Sequence, residues 1–299
     1  MLTYKQVCKL TENDAREYLE RLRWPNGPVC AHCGSAVVAK LNGKATRPGV
    51  YKCKARECRK QFTVTVGTIF ERSHIPLTTW IQAFHLICAS KKGVSALQLQ
   101  RMLGLKSYKS AWHMAHRVRH AMQNEPLRTM LSGTVEADET WVGPRLRGHG
   151  TGLKIENKTA VMALVERGGK MRTKVIGRVT QKNLKGALDE MVAKSSRLLT
   201  DGLQAYVKLG PAFEGGHETV DHSVGEYARG DVHVNSAESY FALLKRGIHG
   251  AFHHVGRHHL HRYADEFAFR WNHRTVTDGE RTDAALKMAP GTRLVYKAD

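Results

Sequence analysis

Two sets of residues in this chain have the types and spacing to do chemistry. The first is Cys30-x2-Cys33 followed, nineteen residues on, by Cys53-x4-Cys58. Each close pair offers two sulfurs from one turn, and a tetrahedral four-thiolate zinc site needs two such turns brought together. Two disulfides are the alternative, which a reducing compartment disfavours. Cys8 and Cys88 stand outside the pattern and read as ordinary buried thiols. The second set is acidic. Asp138 lies inside Thr134-Val-Glu-Ala-Asp-Glu-Thr-Trp-Val142, Asp201 closes Arg197-Leu-Leu-Thr-Asp201, and Glu238 lies in Asn235-Ser-Ala-Glu-Ser-Tyr-Phe-Ala-Leu-Leu-Lys245. A carboxylate within a strand needs a partner, and a bound cation is one of the few that serves. Three carboxylates from separate elements could hold two Mg2+ or Mn2+ ions, the arrangement that activates an attacking oxygen and stabilises a leaving oxygen in phosphodiester chemistry. Lys245 follows Glu238 by two turns on nearly the same helix face, placed for a phosphate.

These groups need elements to position them. Around the cysteines, Val37, Val38 and Ala39, then Val50 and Tyr51, then Phe62, Val64 and Val66 read as short strands of a zinc ribbon, its surface crowded with bases from Lys40 to Lys60. From Pro76 the period becomes helical. One helix carries Trp80, Ala83, Phe84 and Ile87 on one face, Ser95 caps a second over Ala96 to Leu103, and a third runs from about Ser110 to Met122. Lys109, His113, His116, Arg117 and Arg119 make that last helix similar to the recognition helix of a helix-turn-helix unit; a three-helix spacer with a solvated basic face is the alternative. Farther on, alternation places Glu136, Asp138 and Thr140 on one face of a strand and Val135, Ala137, Glu139 and Trp141 on the other. Strands are expected at Thr159 to Glu166 and Lys174 to Val179, a helix at Asn183 to Ala193 and a strand at Arg197 to Asp201. The order β-β-β-α-β, with acids on the first and fourth strands, matches a ribonuclease-H-like core in which those two strands are neighbours. Glu136 and Glu139 are the residues most easily mistaken for Asp138, and Asp201 could instead cap a helix.

The charge is unevenly spread. The 299 residues carry a formal charge of +20, and the first 133 hold 22 basic against 7 acidic residues, the remainder 25 against 20. A basic front end joined to a more balanced, acid-bearing module suits a polyanionic partner, nucleic acid first of all. With 41% hydrophobic and 25% charged residues, a membrane bundle or a generally disordered chain is excluded. No stretch of about 18 apolar residues occurs, and the opening residues lack the basic-then-apolar order of a secretory signal. The expected place is the bacterial cytosol, with nucleoid association. His254 and His258 have i,i+4 spacing, but the run of histidines from 249 to 261 reads as polar helix surface or DNA-facing residues. Arg145, Arg147 and His149 form a basic loop beside Asp138 that could guide a DNA strand.

The four cysteines, Glu136-Ala-Asp138-Glu-Thr-Trp-Val-Gly143, Thr200-Asp201-Gly202-x3-Tyr206, Asn235-x2-Glu238-x6-Lys245-Arg246-Gly247 and Arg262-Tyr263-x2-Glu266-Phe267-x-Phe269-Arg270-x-Asn272 occur in one order along nearly the whole chain. In that order they resemble the bacterial insertion-sequence transposases that join an N-terminal zinc ribbon to a DDE catalytic domain. The resemblance implies an α/β multidomain chain: a zinc ribbon over 1–75, a helix-turn-helix-like unit over 76–132, both DNA-binding, and a ribonuclease-H-like mixed sheet with flanking helices over 133–299. It implies Asp138, Asp201 and Glu238 as the metal-binding triad and Lys245 as an aid at the DNA phosphate. Relatives can carry Asn at the third position, so Asn235 stands beside Glu238 in a supporting or substitute role. The expected activity is binding of element ends, metal-dependent strand cleavage and strand transfer into target DNA, by a homo-oligomer on double-stranded DNA. A non-catalytic DNA-binding regulator derived from such an enzyme is the alternative, and a nuclease without strand transfer a third.

Overall fold

The computed structural model describes residues 1–123, 129–143, 158–291 and 294. Arg145, Arg147 and His149 lie outside the described residues. The chain forms two compact units, one of residues 1–125 with 275–299 and one of residues 126–274.

The first unit opens with two helices, α1 (Tyr4–Val7) and α2 (Glu12–Arg23), each started by a threonine whose hydroxyl and N3 partner close a capping box. Three short antiparallel strands follow in the order β1 (Val38–Lys40), β2 (Tyr51–Cys53), β3 (Gln61–Phe62). Little area is available to a sheet this small, so an aromatic knot holds it. Tyr51 stacks on Phe62 at 5.7 Å, and Trp24 sets its edge on both at 5.4 and 5.9 Å. The third strand stops at Phe62 instead of running on to Val66, because the Val64 and Val66 carbonyls accept from Arg23 Nη1 at 2.6 and 2.8 Å and not from a strand.

Helices α3 (Leu77–Ala89), α4 (Ala96–Met102) and α5 (Tyr108–Met122) complete this unit with the helix Asp278–Lys287. Ser95 caps α4 as expected, its Oγ accepting from the Gln98 amide at 3.1 Å. Ser107 does the same for α5 at 3.1 Å, which starts the helix at Tyr108, earlier than Ser110. The basic face expected on α5 turns out to be mostly interior. His116, Arg117 and Arg119 are buried, with the Arg117 guanidinium 5.1 Å over the Trp80 ring and donating to the Glu71 carbonyl at 3.0 Å, while Lys109 stays exposed. Arginine stems are themselves apolar, so a basic periodicity does not by itself mark a solvent face.

The second unit is a five-stranded mixed sheet. β4 (Thr134–Val142), β5 (Thr159–Glu166) and β6 (Met171–Ile176) form an antiparallel meander; α6 (Gln181–Met191) leads into β7 (Arg197–Asp201), which α7 (Gln204–Val207) and β8 (His217–Val220) follow. The order is β6-β5-β4-β7-β8, with β7 parallel to both β4 and β8, as in a ribonuclease-H-like sheet. β6 begins at Met171, three residues before the expected Lys174. A tight hairpin turn with Gly168 at φ +70 returns the chain early, and the Asn272 side chain clamps Met171, accepting from its N–H at 2.8 Å and donating to its C=O at 3.1 Å.

Helices α8 (Asn235–Gly247) and α9 (Leu260–Asn272) pack on the face opposite α6 and α7. One core joins Val135, Ala137, Leu184, Leu188 and Tyr206; the other joins Val161, Ala163, Tyr240, Leu244 and Phe267. Helices on both faces explain why β5 is buried at seven successive positions and reads as a continuous apolar run. Between α8 and α9 the chain makes a π turn over Ile248–Phe252, reverses at His253 with φ +60, and continues as a 3-10 turn over Arg257–His259. His254 and His258 therefore do not share a helix, and their spacing makes no metal pair. Among the described residues, no helix is long and apolar enough to cross a membrane.

Candidate functional site

The thiols meet. Cys30 Sγ lies 3.8 Å from Cys58 Sγ and Cys33 Sγ 3.6 Å from Cys53 Sγ, and all four sulfurs fall within 4.8 Å of one another. A tetrahedron of Zn–S bonds near 2.3 Å has edges of about 3.8 Å, so this donor set fits zinc. The first turn is shaped by the Gly34 amide on the Cys30 carbonyl at 2.9 Å, with Gly34 at φ +76. Burial works against a Cys30 thiolate, but the His32 and Cys33 amides and the neighbouring thiols outweigh it and bring its pKa to about 7. Of the two cysteines outside the cluster, Cys88 is buried as expected, whereas Cys8 is exposed just after α1.

The three acids sit on three elements of the second unit. The parallel register pairs Ala137 with Thr200, which sets Asp138, at the middle of β4, level with Asp201, the last residue of β7, on the face that α8 covers. Glu238 stands in the first turn of α8, close enough for its charge and that of Asp201 to act on Asp138. Burial first, and then these two carboxylates, push the Asp138 carboxyl up to about 7, against the Glu139 amide, which donates to it at 2.7 Å, and the counter-pull of His222. Glu238 Oε1 lies 3.8 Å from His222 Nδ1. Asp201 Oδ1 accepts from the Leu203 amide at 3.1 Å; the turn role thus exists, and it uses one oxygen. A buried carboxyl that resists ionisation, with two further carboxylates near enough for their charges to act on it, is a fit donor set for a hard divalent cation, whose charge offsets the cost of ionising it.

Neighbouring acids are told apart by their partners. Glu136, on the face of Asp138, is fully buried and bonded to Arg167 Nε at 2.9 Å and to the start of α8. Glu139 points to the other face, where the Tyr206 hydroxyl donates to it; burial and the charges of Asp138 and Asp201 raise its pKa to about 8. Lys245 is exposed and lines a cavity of about 170 Å³ with Trp141, Lys158 and His249. Asn235 is the exposed first residue of α8, its amide 3.4 Å from His233 Nδ1. Sequence reasoning had no role for His222 or Arg167, which belong to no recurring spacing. Tyr206 was visible only as the end of Asp201-Gly202-x3-Tyr206.

Residues 130–272 match the family of ISXO2-like transposase domains, and residues 10–61 match transposase zinc-ribbon domains. A protein described as an uncharacterized protein in transposable element ISH50 of Halobacterium salinarum is 30% identical over 254 residues, covering 80% of this chain and 84% of its own. Among solved structures, the Mos1 strand transfer complex covers 62% of this chain and 73% of its own at 12% identity and a TM-score of 0.25; a pre-cleavage Mos1 transpososome gives the same TM-score with 74% of its own chain covered. That geometric likeness is slight.

Proposed function

From the premise that the chain belongs to the insertion-sequence transposases, we propose that it cuts and rejoins DNA at Asp138, Asp201 and Glu238. What supports this reading is that the β4–β7 register sets Asp138 level with Asp201, and that the charges of Asp201 and Glu238 both act on the buried Asp138 carboxyl, raised to about 7. Asp138 from the middle of β4, Asp201 from the end of the neighbouring β7 and Glu238 from the first turn of α8 would hold a pair of divalent ions, Mg2+ or Mn2+, between them. Bound there, such ions supply activation of the attacking oxygen and stabilisation of charge on the leaving oxygen, without a covalent protein intermediate. Lys245, seven residues after Glu238 on α8, contacts the phosphate of the DNA strand, while Asn235 at the start of the helix supports the third position. The basic first unit, with its ribbon and the exposed Lys109, binds the element ends by phosphate contact; strand cleavage exposes a 3′-OH that attacks target DNA. A homo-oligomer brings two ends together, in the bacterial cytosol and at the nucleoid.

Labelled element ends incubated with the protein, with and without Mg2+, test the reading. Asp138→Asn and Asp201→Asn are expected to bind the ends as the parent does and to lose cleavage on the order of 10³-fold, since several kcal/mol of charge stabilisation disappear at about 1.4 kcal/mol per tenfold. Mg2+-dependent cleavage retained by either variant overturns the assignment. End binding with no cleavage by the parent in Mg2+ or Mn2+ supports the non-catalytic regulator instead.

A further inference from the structure

We propose that Glu136 is a positioning residue, whose carboxylate ties the first turn of α8 to β4 and thereby fixes where Glu238 stands over Asp138. The inference rests on the reading of Asp138, Asp201 and Glu238 as the metal-holding acids, and Glu136 itself belongs to none of the three positions.

Helix α8 begins without a cap of its own. Its N-cap is Val234, which offers no side-chain oxygen, so the first amides need an acceptor from elsewhere. Glu136 supplies it from the strand below. Its Oε2 accepts from the Ser236 amide at 2.8 Å and the Ala237 amide at 3.3 Å, and its Oε1 accepts from the Ser236 hydroxyl at 3.0 Å. Glu238 is the next residue after Ala237. A fully buried carboxylate requires charge compensation, and the Arg167 Nε at 2.9 Å from Oε1 provides it, with the positive end of the helix adding to it. Arg167 reaches that place from the β5–β6 hairpin, and its Nη2 also donates to the His233 carbonyl at 3.1 Å, one residue before the N-cap.

The segment leading into α8 is fixed to the same face. Val232 and Val234 pack with Leu199 and Val220, and Asp231, between them and the solvent, pairs with Arg197. Period-two geometry places Glu136 with Asp138 on β4, and Arg197 and Leu199 with Asp201 on β7. Each strand that presents an aspartate thus also presents an anchor for the helix that brings the third acid. Farther along, Tyr240 and Leu244 bury α8 in the core irrespective of this tether, so its loss loosens the first turn without releasing the helix. A displacement of about 1 Å at a reacting centre can cost about 10²-fold in rate.

The test compares Glu136→Gln with Tyr240→Phe, a change in the same helix that removes a hydroxyl donating to the Ala264 carbonyl of α9 at 3.0 Å but leaves the start of α8 untouched. Hydrogen exchange of the α8 peptide and the Mg2+ dependence of end cleavage are measured on the full-length, zinc-loaded protein. Expected for Glu136→Gln are faster exchange at Ser236 and Ala237 and a half-maximal Mg2+ concentration raised about 10- to 100-fold, the usual effect of removing an outer partner from a metal site. Tyr240→Phe should change neither. Unaltered exchange and an unaltered Mg2+ midpoint in folded Glu136→Gln overturn the inference. Should that variant not fold, Ser236→Ala, which removes one of the donors, is expected to raise the midpoint several-fold, and an unchanged midpoint there overturns it equally. Cleavage that survives Asp138→Asn defeats the catalytic reading separately, and the exchange data still decide the tether.

Discussion

The zinc ribbon and the acid cluster both gather ligands that repel one another once ionised, but by opposite means. Four thiols come from within 28 residues, three of them in turns beside strands of two or three residues and Cys53 at the end of one. Three carboxyls come from positions spread over 100 residues, on a sheet covered by helices on both faces. A ribbon with so little buried area depends on its metal to fold, whereas the sheet would stand before any metal arrives and bears the repulsion among its acids. The protons differ too: in the ribbon the thiols divide, Cys30 lowered to about 7 and Cys33 raised by its sulfur neighbours to about 12, whereas Asp138 is raised to about 7, chiefly by burial.

Stripping zinc should break this contrast most sharply. Structural zinc contributes on the order of 10 kcal/mol in zinc-finger peptides, so chelation is expected to unfold the ribbon and abolish end binding while the α/β unit keeps its cooperative melt, followed by circular dichroism and calorimetry. The acid cluster should respond in the opposite sense. Because the folded Asp138 carboxyl sits above its unfolded value, its ionisation destabilises the fold, by nothing below about pH 4 and in full above about pH 7. Asp138→Asn in zinc-loaded, magnesium-free protein should therefore be more stable than the parent at pH 8, by about 1–3 kcal/mol, with the gain vanishing near pH 4; an equal gain at both pH values would contradict a raised Asp138 carboxyl. A smaller effect concerns proton competition. Since the cation must displace a proton from Asp138 below about pH 7, the Mg2+ midpoint for cleavage should rise by up to about tenfold between pH 7 and pH 6 and stay flat between 8 and 9. Smallest of all, Tyr206→Phe removes the hydroxyl that favours ionised Glu139 and should cost about 1 kcal/mol of stability, larger at pH 9 than at pH 6.

Much of this architecture was legible because it follows local periodicity. The cysteine spacing led to the thiol cluster, Asp138 fell at the middle and Asp201 at the end of strands that alternation had located, and Ser95 capped the helix it preceded. What escaped was tertiary. Arg117 and Arg119 lie on a helix whose basic face turned inward onto Trp80 and the Glu71 carbonyl, contacts that no spacing encodes. The start of β6 depends on a side chain 101 residues away, Asn272. Glu136 shares a strand face with Asp138, and what marks it as a capping carboxylate is the approach of α8 and of Arg167 from the β5–β6 hairpin. The capping boxes at Thr11 and Thr277, by contrast, were readable signals for helices at both ends that the pattern of the middle of the chain overshadowed.

The helix Asp278–Lys287 gives the molecule an unusual genetic layout. It follows the sheet unit in sequence yet packs with the first, Thr282 meeting His85 of α3 at 3.3 Å and Arg281 donating to the Cys88 carbonyl at 3.0 Å. The α/β unit is thereby an insert inside another domain, attached at two points of the chain. Cutting the chain after residue 125 yields no independent front half, since Leu286 and Ala285 are then missing from its core, and a stop codon before 275 damages the half that lies farthest from it in the gene.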